Sequence, residues 1–576
     1  MAMTKKDFQN WSYEKLLHEY KELSKRKKFG IVWEDKTEEV AEQCKTHLPV
    51  LKDEKTKVIA NDKDAINHVF IEGDNYHALS VLNYTHKRKV DVIFIDPPYN
   101  TGSQHWIYNN SYVERDDRFK HSKWLSFMSK RLRLARNLLK EDGFFAITID
   151  HNELVTLGLL MDESFGENDR VGIVTVLHNP EGRNQAKFFS ENTEFLLLYA
   201  KNISKAKFNS VAISEDVQGT FTETDETGKF RYEPYMRART VWSRENRPKN
   251  WYPIYVSKDL KDITHKKIKG YYEVFPITSN GKEMAWKNIL DTFIDLNKNG
   301  NFKAKKEGSK IVIYHKYREQ QVLKNVWTDK KYQSEFHGTN LLKKIFGDKR
   351  FDYPKSLYLV MDILKITSNE DSVILDFFAG SGTTGQAVLE LNNEDGGMRQ
   401  FILCTNNENN NGNGQGGVAE SVCYPRLQKV IKGYIDSSGN KVNGLGGNLR
   451  YYKGELVGNI KTDNDKRVFT SRCGEMLCLA EGTFFEVASK KDEFAIYENA
   501  DQMTAIIFDE DAILDFKQEA KKHNKPIVVY VFSYDHTYNE EDFEDLENLR
   551  TVKPIPEVIL NVYRKIYKEL YKPRHQ

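Results

Sequence analysis

The sequence lacks the features of membrane, secreted and disulfide-stabilised proteins. No apolar run approaches the ~20 residues needed to cross a bilayer. The opening residues, M-A-M-T-K-K-D-F, lack the apolar core of a secretion signal. Five cysteines in 576 residues are odd in number and scattered, which disfavours a disulfide framework. We therefore expect a reduced, cytoplasmic protein.

Motifs for metal and nucleoside triphosphates are missing as well. Cys473 and Cys478 have no CxxC or Cys/His partner set beside them, so reduced structural thiols explain them better than a zinc site. The G-x-x-x-x-G-K-[ST] loop that cradles phosphates does not occur. The chain is therefore not expected to be an ATPase or a zinc protein.

Charge is unevenly distributed along a chain long enough for two to four domains. The net charge is only +2. Residues 201–340 carry 27 Lys+Arg and 17 Asp+Glu, a balance of +10, whereas residues 451–576 carry 18 and 24, a balance of −6. The basic section suits a polyanion and the acidic section suits protein contacts, although an uneven solvated surface explains the same counts.

Strand and helix patterns alternate from residue 66 to 200 and again after 354. Amphipathic helical segments separate short apolar segments in the first stretch, which predicts a doubly wound α/β sheet. Its predicted strands lie at 69–71, 90–95, 144–149, 172–177 and 195–199. Residues 1–60 read as a polar helical segment, and residues 451–576 as a small separate domain with strands of its own.

The strand at 90–95 ends abruptly in Asp96, Pro97, Pro98 and Tyr99. Consecutive prolines cannot continue a strand, so its carboxyl end presents an acid, main-chain carbonyls and an aromatic ring. An exocyclic amine on an aromatic ring could donate its two hydrogens to Asp96 and the Pro97 carbonyl, turning its lone pair toward an incoming methyl group, while Tyr99 stacks on the ring. The alternative is a turn that only ends the strand.

A second turn, D-F-F-A-G-S-G-T-T-G, occupies residues 376–385 between a predicted strand and a predicted helix. Glycines in such a turn let the backbone approach a ligand closely. They also match G-x-G-x-x-G, so a dinucleotide site and a purely structural turn are alternatives. Phe378 favours an adenosine or methionine pocket, and Glu408 falls where an acid can hold a ribose hydroxyl.

Between the two turns, residues 201–340 lose the alternation and are rich in Lys, Arg, Tyr and Trp. Their densest part reads R-A-R-T-V-W-S-R-E-N-R-P-K-N-W-Y. Basic residues interleaved with aromatics can neutralise phosphates and stack on bases, although ordinary surface with aromatic anchors would look similar.

The order D-P-P-Y, basic section, F-A-G-S-G resembles the β-class DNA adenine-N6 methyltransferases, which use S-adenosylmethionine. More closely, G-D-N-Y-H-A-L, D-P-P-Y-N-T-G, K-W-L-S-F-M, Y-P-K-S-L and D-F-F-A-G-S-G-T-T-G resemble the modification subunit of type III restriction–modification systems. The resemblance covers residues 10–450 in motif order. It implies a Rossmann-like doubly wound methyltransferase sheet with an inserted target-recognition domain and a small C-terminal domain.

The resemblance also implies a division of the chain and a role for each motif residue. The sections are a helical segment 1–60, a catalytic half 61–200, a target-recognition domain 201–340, a cofactor half 341–450 and a dimerisation or docking domain 451–576. The residues that hold an adenine flipped out of double-stranded DNA are Asp96, Pro97, Pro98 and Tyr99. The residues that bind S-adenosylmethionine are Asp74, Lys355, Ser356, Asp376, Phe378, Ala379, Gly380, Ser381, Gly382 and Glu408.

Within that cofactor set, Asp74 would approach the adenine of the cofactor, Glu408 its ribose, and Lys355 and Ser356 its carboxylate. A helix cap is the alternative role for Asp74. No metal is required. The implied partners are double-stranded DNA, a second copy of the chain and a helicase–nuclease restriction subunit, since this chain should not cleave DNA by itself.

Several alternatives stay open. One is a solitary adenine methyltransferase without a nuclease partner. RNA guanine and protein glutamine methyltransferases use related turns but place the cofactor turn first. Cytosine-N4 enzymes usually carry Ser where this chain has Asp96. An alternative of another class is a DNA-binding subunit that has lost catalysis, which the intact turns disfavour.

Overall fold

The computed structural model describes most of the chain in two compact units. The described residues are 12–14, 16–17, 31, 33–62, 65–102, 107–108, 111–114, 116–182, 188–209, 220–226, 228–318, 323–407, 417–458, 460–535 and 537–570. One unit combines Met1–Asn209 with Lys324–Gln576, and the other is Ser210–Leu323. Every helix in the described ranges is too short or too polar to span a bilayer.

The first unit begins with alternating strands and helices. These elements are α1 (Glu39–Gln43), β1 (His47–Asp53), β2 (Asn67–Glu72), α2 (Asn75–Thr85), β3 (Val90–Ile95), β4 (Ile107–Tyr108), β5 (Ser111–Tyr112), α3 (Lys120–Leu138), β6 (Leu139–Ile149), α4 (Leu154–Phe165), β7 (Arg170–Leu177) and β8 (Thr193–Ala200). All five strands predicted between 69 and 199 are present, and most of them extend a few residues beyond the predicted limits.

The second unit is built from short antiparallel strands and a single helix in its described part. They are β9 (Glu223–Asp225), β10 (Gly228–Pro234), β11 (Met236–Arg237), β12 (Ile254–Val256), β13 (Ile263–Thr264), β14 (Tyr272–Val274), β15 (Ala285–Trp286), α5 (Leu290–Lys298), β16 (Phe302–Glu307) and β17 (Lys310–Arg318). Tyr235, Trp286 and Phe293 lie in its own apolar core. The observed unit is therefore narrower than the predicted section 201–340.

The remainder of the chain returns to the first unit. Its elements are β18 (Val326–Trp327), α6 (Asn340–Phe346), α7 (Leu357–Thr367), β19 (Val373–Asp376), α8 (Thr383–Asp395), β20 (Gln400–Thr405), α9 (Tyr424–Lys432), β21 (Gly433–Ile435), β22 (Lys441–Asn443), β23 (Asn448–Gly458), α10 (Asp463–Ser471), α11 (Gly474–Glu481), β24 (Phe485–Lys490), β25 (Phe494–Glu498), β26 (Met503–Ile507), α12 (Ile513–Ala520), β27 (Ile527–Phe532), β28 (Leu549–Ile555) and α13 (Glu557–Leu570).

Ten strands form the main sheet, in the order β1-β23-β2-β20-β19-β3-β6-β8-β7-β18. Strands β23, β2, β20, β19, β3 and β6 are mutually parallel. Strand β8 runs antiparallel to both β6 and β7. The carboxyl ends of β2, β20, β19 and β3 therefore meet at one edge of the sheet, where ligands bind in open α/β folds.

Both faces of the main sheet are covered by helices. Ile93 and Ile95 of β3 pack in one apolar layer with α2 and α3. Val92 and Phe94 point the other way, into a layer with α7 and α8. Burial on both faces explains why this strand is apolar along nearly its whole length. The prediction of a doubly wound α/β sheet is confirmed.

The N-terminal prediction is wrong over part of its length. Residues 1–60 were expected to be helical, but β1 forms an edge strand that pairs antiparallel with β23. Pro49, Val50 and Leu51 lie in its buried centre. The pairing partner lies some 400 residues away in sequence, so local helical spacing could not reveal it. Most of residues 1–30 fall outside the described ranges.

The C-terminal section has its own sheet but not its own isolated core. Strands β24 to β28 form a five-stranded sheet in sequential order. However, Phe469, Leu477 and Tyr563 from α10, α11 and α13 belong to the same apolar layer as α2. Tyr563 also donates a hydrogen bond to the Pro49 carbonyl at 2.5 Å. The predicted boundary at 450 moreover falls inside β23, so this section does not begin where expected.

Candidate functional site

Two aspartates end neighbouring parallel strands at the carboxyl edge of the main sheet. Asp96 follows β3, and Asp376 is the last residue of β19. The strands are paired side by side, with Ile374 opposite Val92. The D-P-P-Y turn and the glycine-rich turn, which lie about 280 residues apart in sequence, are therefore adjacent in the fold.

The D-P-P-Y turn is held from both sides. The Trp124 indole N–H donates a hydrogen bond to the Pro98 carbonyl at 2.7 Å. Asn100, whose φ of 56° is positive, donates from its amide to Glu153 at 2.5 Å. By contrast, no residue of the described ranges donates a hydrogen bond to the Pro97 carbonyl. The Pro98 carbonyl therefore has a donor within the protein, whereas the Pro97 carbonyl can accept a hydrogen bond from a ligand.

Two donors among the described residues reach the same oxygen of the Asp96 carboxylate. Thr148 Oγ1 donates to Oδ1 at 2.7 Å, and Lys355 Nζ lies 3.2 Å from the same oxygen. The Asp96 side chain is 27% exposed. Oδ2 is therefore the oxygen to which neither donor reaches, and it lies in the same turn as the Pro97 carbonyl.

Lys355 connects Asp96 to Glu194 and to Tyr99. Its Nζ is 2.5 Å from Glu194 Oε2 and 2.5 Å from the Tyr99 hydroxyl. The Tyr99 hydroxyl also lies 3.2 Å from Glu194 Oε2. We call Asp96, Thr148, Tyr99, Glu194 and Lys355 the carboxylate cluster. It joins the ends of β3, β6 and β8 to the segment before α7.

In this cluster, burial and ion pairing shift the pKa of each charged group in opposite directions. Burial raises the pKa of Asp96, and the Lys355 ammonium partly offsets that rise. Burial also disfavours the charge of Glu194, but Lys355 outweighs it and holds the Glu194 pKa below its ordinary value. Burial lowers the Lys355 pKa, yet the two carboxylates raise it above the ordinary value on balance. Lys355 is therefore a permanently charged ammonium at neutral pH.

The glycine-rich turn is shaped by backbone conformation and close packing. Gly380 and Gly382 have φ values of 49° and 80°, which side chains disfavour. A Cβ at Gly385 would lie 2.6 Å from Leu427 Cδ2 and 2.9 Å from Leu403 Cδ1, closer than real Cβ atoms come. The third glycine of the motif therefore permits α8 to pack against the sheet.

Asp376 builds this turn from within. It accepts hydrogen bonds from the Phe378 amide at 2.9 Å and from the Thr384 hydroxyl at 2.5 Å. Burial raises the pKa of Asp376 to about 7. Its side chain thus faces its own turn, and its predicted contact with a cofactor stays a prediction. The Ala379 amide donates to the Cys404 carbonyl at 3.1 Å, which fixes the turn to β20.

A buried arginine donates hydrogen bonds to Ser381 of the same turn. Arg426 is fully buried, and its Nη1 donates to the Ser381 carbonyl and hydroxyl, both at 3.2 Å, and to Thr383 Oγ1 at 2.9 Å. Ser381 is therefore also engaged by the protein itself.

Asp74 caps a helix, which confirms the alternative role considered for it. Its carboxylate accepts a hydrogen bond from the Tyr76 amide at 2.7 Å, at the N-terminus of α2. Arg131 Nη2 lies 3.5 Å from the same oxygen. Arg131 also donates to Asn75 Oδ1 at 2.5 Å, and Asn75 donates to the Phe377 carbonyl at 3.0 Å. This chain of contacts fixes Asp74 relative to the glycine-rich turn.

An aromatic wall lies beside that contact chain. The rings of Phe378 and Phe127 are 5.9 Å apart, and the Arg131 guanidinium lies 3.7 Å from the Phe127 ring centroid. Phe378 is only partly buried. Together with Asp74, which is 33% exposed on its side chain, this wall offers an apolar surface and an acid to a ligand.

The other predicted cofactor residues have different placements. Ser356 is fully buried and donates to the Lys331 carbonyl at 2.6 Å. Lys355 lies in the carboxylate cluster, beside the catalytic turn. Glu408 lies outside the described residues. Among the described residues, no three His, Cys, Asp or Glu side chains gather as metal ligands, and all five cysteines are unpaired and buried.

Sequence reasoning missed Thr148, Glu194, Trp124 and Arg131. Glu194 did carry a signal, because a single acid stands at the start of the apolar strand T-E-F-L-L-L-Y. A carboxylate that is 2% exposed is rare unless it is paired. The others look like ordinary strand or helix residues, and only the fold reveals their contacts.

Comparisons with known proteins agree on one family. The profile of a family described as DNA methylase matches residues 90–410. The EcoPI Mod subunit of a type III restriction–modification enzyme from Escherichia phage P1 is 33% identical over 396 residues, 62% of this chain and 60% of that protein. The type II methyltransferase M.KpnI from Klebsiella pneumoniae is 33% identical over 338 residues, 58% and 79% respectively.

A further relative extends the comparison. The StyLTI Mod subunit of a type III restriction–modification enzyme from Salmonella typhimurium is 35% identical over 388 residues, 62% of this chain and 55% of that protein. The chain therefore spans less than two thirds of the length of both Mod subunits.

Proposed function

The chain belongs to the DNA methylase family that modifies amino groups at N6 or N4, and we propose that it methylates N6 of adenine in double-stranded DNA. S-adenosylmethionine would supply the electrophilic methyl group. N6 would receive the methyl group, the sulfur would keep the bonding electron pair so that S-adenosylhomocysteine leaves, and N6 would lose one proton to water.

The observation that carries the proposal is the pair of acceptors in the D-P-P-Y turn. The Pro97 carbonyl has no donor within the described ranges, and Asp96 Oδ2 is not reached by the two donors that occupy Oδ1. An exocyclic amine has two hydrogens to donate to them. Hydrogen bonding to both would draw its lone pair out of the ring and orient it for in-line transfer.

The protein must also remove the base from the duplex and orient it. An adenine inside a duplex cannot reach a buried strand end, so it has to be flipped out. Tyr99 follows the two acceptors directly and offers its ring for stacking. Its hydroxyl is fixed by Lys355 and Glu194, so the ring is held in one orientation before the base arrives.

The residues beside the D-P-P-Y turn, at the same edge of the sheet, fit S-adenosylmethionine. The partly buried Phe378 and Phe127 rings provide an apolar wall, and Asp74 provides an acid at the end of β2. Ala379, Gly380, Ser381 and Gly382 form the backbone of the turn between them. In this proposal Asp376 supports the turn through its internal hydrogen bonds rather than touching the cofactor.

We assign target recognition to the unit Ser210–Leu323, which lies between the two motifs in sequence. Arg237 and Arg247 lie 5.0 and 4.9 Å from the Trp242 ring centroid, and Arg244 lies 4.8 Å from that of Trp251. Guanidinium groups held on aromatic rings are preorganised for phosphate and base contacts. An Arg237→Ala variant that methylates the same sites with unchanged affinity for DNA would contradict this assignment.

We further propose that the chain is the modification subunit of a type III system, active on DNA in the cytoplasm of a prokaryote. The similarity to two Mod subunits supports this. The assembly would comprise a homodimer and a restriction subunit. We propose that the acidic section 451–576, which includes the exposed Glu541, Glu544 and Glu547, docks the restriction subunit. Their replacement by Lys should abolish assembly, and unchanged assembly would refute the surface.

A solitary methyltransferase is the second candidate. It is favoured by the match to M.KpnI, of which this chain spans 79%. The two candidates differ in whether a restriction subunit binds. Measuring the mass in solution of the chain alone and mixed with the restriction subunit of a type III system separates them.

The deciding experiment is single-molecule sequencing of DNA treated with the purified chain and S-adenosylmethionine. We expect N6-methyladenine within a short recognition sequence. Asp96→Ala should abolish the modification and retain DNA binding. The matched control is Asp348→Ala, which removes an exposed carboxylate paired with nearby Arg350. Methylation by Asp96→Ala at the wild-type rate, or methylation of cytosine N4, would overturn the proposal.

A further inference from the structure

One buried ammonium in the carboxylate cluster is shared by two carboxylates. Lys355 Nζ lies 2.5 Å from Glu194 Oε2 and 3.2 Å from Asp96 Oδ1. With the Tyr99 hydroxyl at 2.5 Å, its three N–H donors all have partners. With both carboxylates ionised, the three charges sum to −1, so the cluster carries one negative charge that Lys355 does not compensate.

The distances indicate that the Lys355 ammonium interacts more strongly with Glu194 than with Asp96. The Lys355–Glu194 distance is shorter by 0.7 Å, the difference between 3.2 and 2.5 Å. Glu194 is 2% exposed, and its Oε1 has no hydrogen-bond partner in the part of the chain that the structure describes. Water cannot stabilise such a carboxylate, so it depends on Lys355. Asp96 is 27% exposed and has Thr148 besides.

We propose that Glu194 and Lys355 are positioning residues for methyl transfer, with Glu194 drawing the ammonium away from Asp96. Lys355 and Thr148 occupy Oδ1 and turn Oδ2 toward the substrate amine. Glu194 prevents Lys355 from forming a neutral pair with Asp96, which would make Asp96 a weaker acceptor. This inference rests on the proposed function and extends it to two residues outside the D-P-P-Y motif.

Charged and titratable groups on several elements face Asp96 and Glu194. Lys355 precedes α7, Glu194 is the second residue of β8, and Tyr99 belongs to the same turn as Asp96. Asp376, at the end of β19, interacts with Asp96 through its charge. His178, which follows β7, interacts with Glu194. Lys355 and Glu194 shift the pKa of Asp96 in opposite directions, down and up respectively.

The two residues can therefore be separated by the pH dependence of kcat. Lys355→Met removes the cation, so the pKa of Asp96 rises and the acid limb of the kcat profile moves to higher pH. Glu194→Gln removes a neighbouring negative charge, so that limb moves to lower pH. Its kcat nevertheless falls, by about tenfold or more, because Lys355 now pairs with Asp96 alone.

The double variant and a conservative variant complete the test. Glu194→Gln combined with Lys355→Met should place the acid limb between those of the wild type and Lys355→Met. Glu194→Asp keeps the charge and should restore part of kcat. In every variant, the dissociation constant for S-adenosylmethionine, measured by calorimetry, should stay within about threefold of wild type, because no contact to the cofactor is removed.

Matched controls remove a charge without touching the cluster. Glu191→Gln, three residues from Glu194, removes a carboxylate paired with His151 on the surface. Lys365→Met removes an ammonium paired with Glu394. Both should behave as wild type, and melting temperatures show whether each variant folds. If Glu194→Gln does not fold, the profile of Lys355→Met decides.

Different results would overturn the positioning roles and the methylation of adenine. If the wild type methylates adenine but the acid limb of Lys355→Met is unmoved, or Glu194→Gln retains the wild-type kcat, the positioning roles are overturned. A loss of cofactor affinity in Lys355→Met with an unmoved limb would instead place Lys355 on the cofactor and overturn the inference. If the wild type methylates no adenine, the proposed function itself fails.

Discussion

Asp96 and Asp376 occupy equivalent positions at the ends of two adjacent parallel strands, yet they have different surroundings. The Asp96 side chain is 27% exposed and shares Lys355 with Glu194. Asp376 is 2% exposed and accepts hydrogen bonds only from residues of its own turn and helix among those described. A strand-end acid can thus face a ligand or build the loop that faces it.

The residues after each acid explain the difference. After Asp96, two prolines end the strand, and the Asp96 carboxylate stays partly exposed. After Asp376, Gly380 and Gly382 adopt positive φ values and fold the chain back toward the strand end. The amide of Phe378 and the hydroxyl of Thr384 then reach the carboxylate.

The largest expected effect is on the methylation rate, which should depend on the Asp96 carboxylate. Asp96→Asn replaces an anionic acceptor with a neutral amide and leaves Lys355 with one carboxylate. We expect the single-turnover rate of methylation to fall at least about 10²-fold, similar to the loss of one electrostatic contact to a transition state. The melting temperature should barely change. A rate within about threefold of wild type would remove Asp96 from its assigned role.

The next largest effect is on the free energy of unfolding, which should depend on pH through Asp376. Burial raises the pKa of Asp376 to about 7 in the folded state, from an ordinary value of 3.8. Because the folded state holds this proton more tightly, Asp376 contributes stability below about pH 4 that is lost as pH rises through 7. Asn mimics the protonated acid and does not titrate.

Asp376→Asn should therefore gain stability relative to wild type as pH rises from 4 to 8. At about 1.4 kcal/mol per pKa unit, the gain is at most roughly 4 kcal/mol. Urea unfolding of both proteins at several pH values measures it. A difference in unfolding free energy that stays constant from pH 4 to 8 would show that Asp376 is not titrating in this window.

A smaller effect tests whether the glycine-rich turn is limited by packing. Gly385→Ala places a Cβ 2.6 Å from Leu427 Cδ2 and 2.9 Å from Leu403 Cδ1. Overpacking of this kind costs about 1–3 kcal/mol, which denaturant unfolding can detect. Gly158→Ala is the control, because its Cβ meets nothing within 4 Å in helix α4. It should leave stability unchanged or raise it by about 0.5–1 kcal/mol.

The smallest effect concerns the hydroxyl beside Asp96. Tyr99→Phe removes one hydrogen-bond partner of Lys355 and keeps the ring. A single hydrogen bond contributes about 0.5–1.5 kcal/mol, so kcat should fall by about two- to tenfold. Tyr99→Ala should cost more, because stacking on the base, worth about 1–3 kcal/mol, is lost as well. Equal losses in both variants would mean that the ring does not stack.

Much of the fold is predictable from local patterns. Strand β3 was predicted with its observed limits, because a β-branched apolar run stops at two prolines. Strand β1 was missed, because residues 1–60 carry a helical pattern. The separate C-terminal domain was predicted from its own strand patterns, but α10, α11 and α13 bury side chains in the core of the main unit. A pattern along the chain shows that a face is apolar and not which element covers it.

For the site, local chemistry determined the two turns: Asp96 followed by prolines, and glycines placed where a positive φ or a close helix contact requires them. The sequence could not determine which groups set the pKa of Asp96. That depends on Lys355, which contacts Tyr99 from 256 positions away and Glu194 from 161 positions away. The order of strands in the sheet brings them together. Ion pairs act through space, so the partners of a buried carboxylate are decided by the tertiary structure.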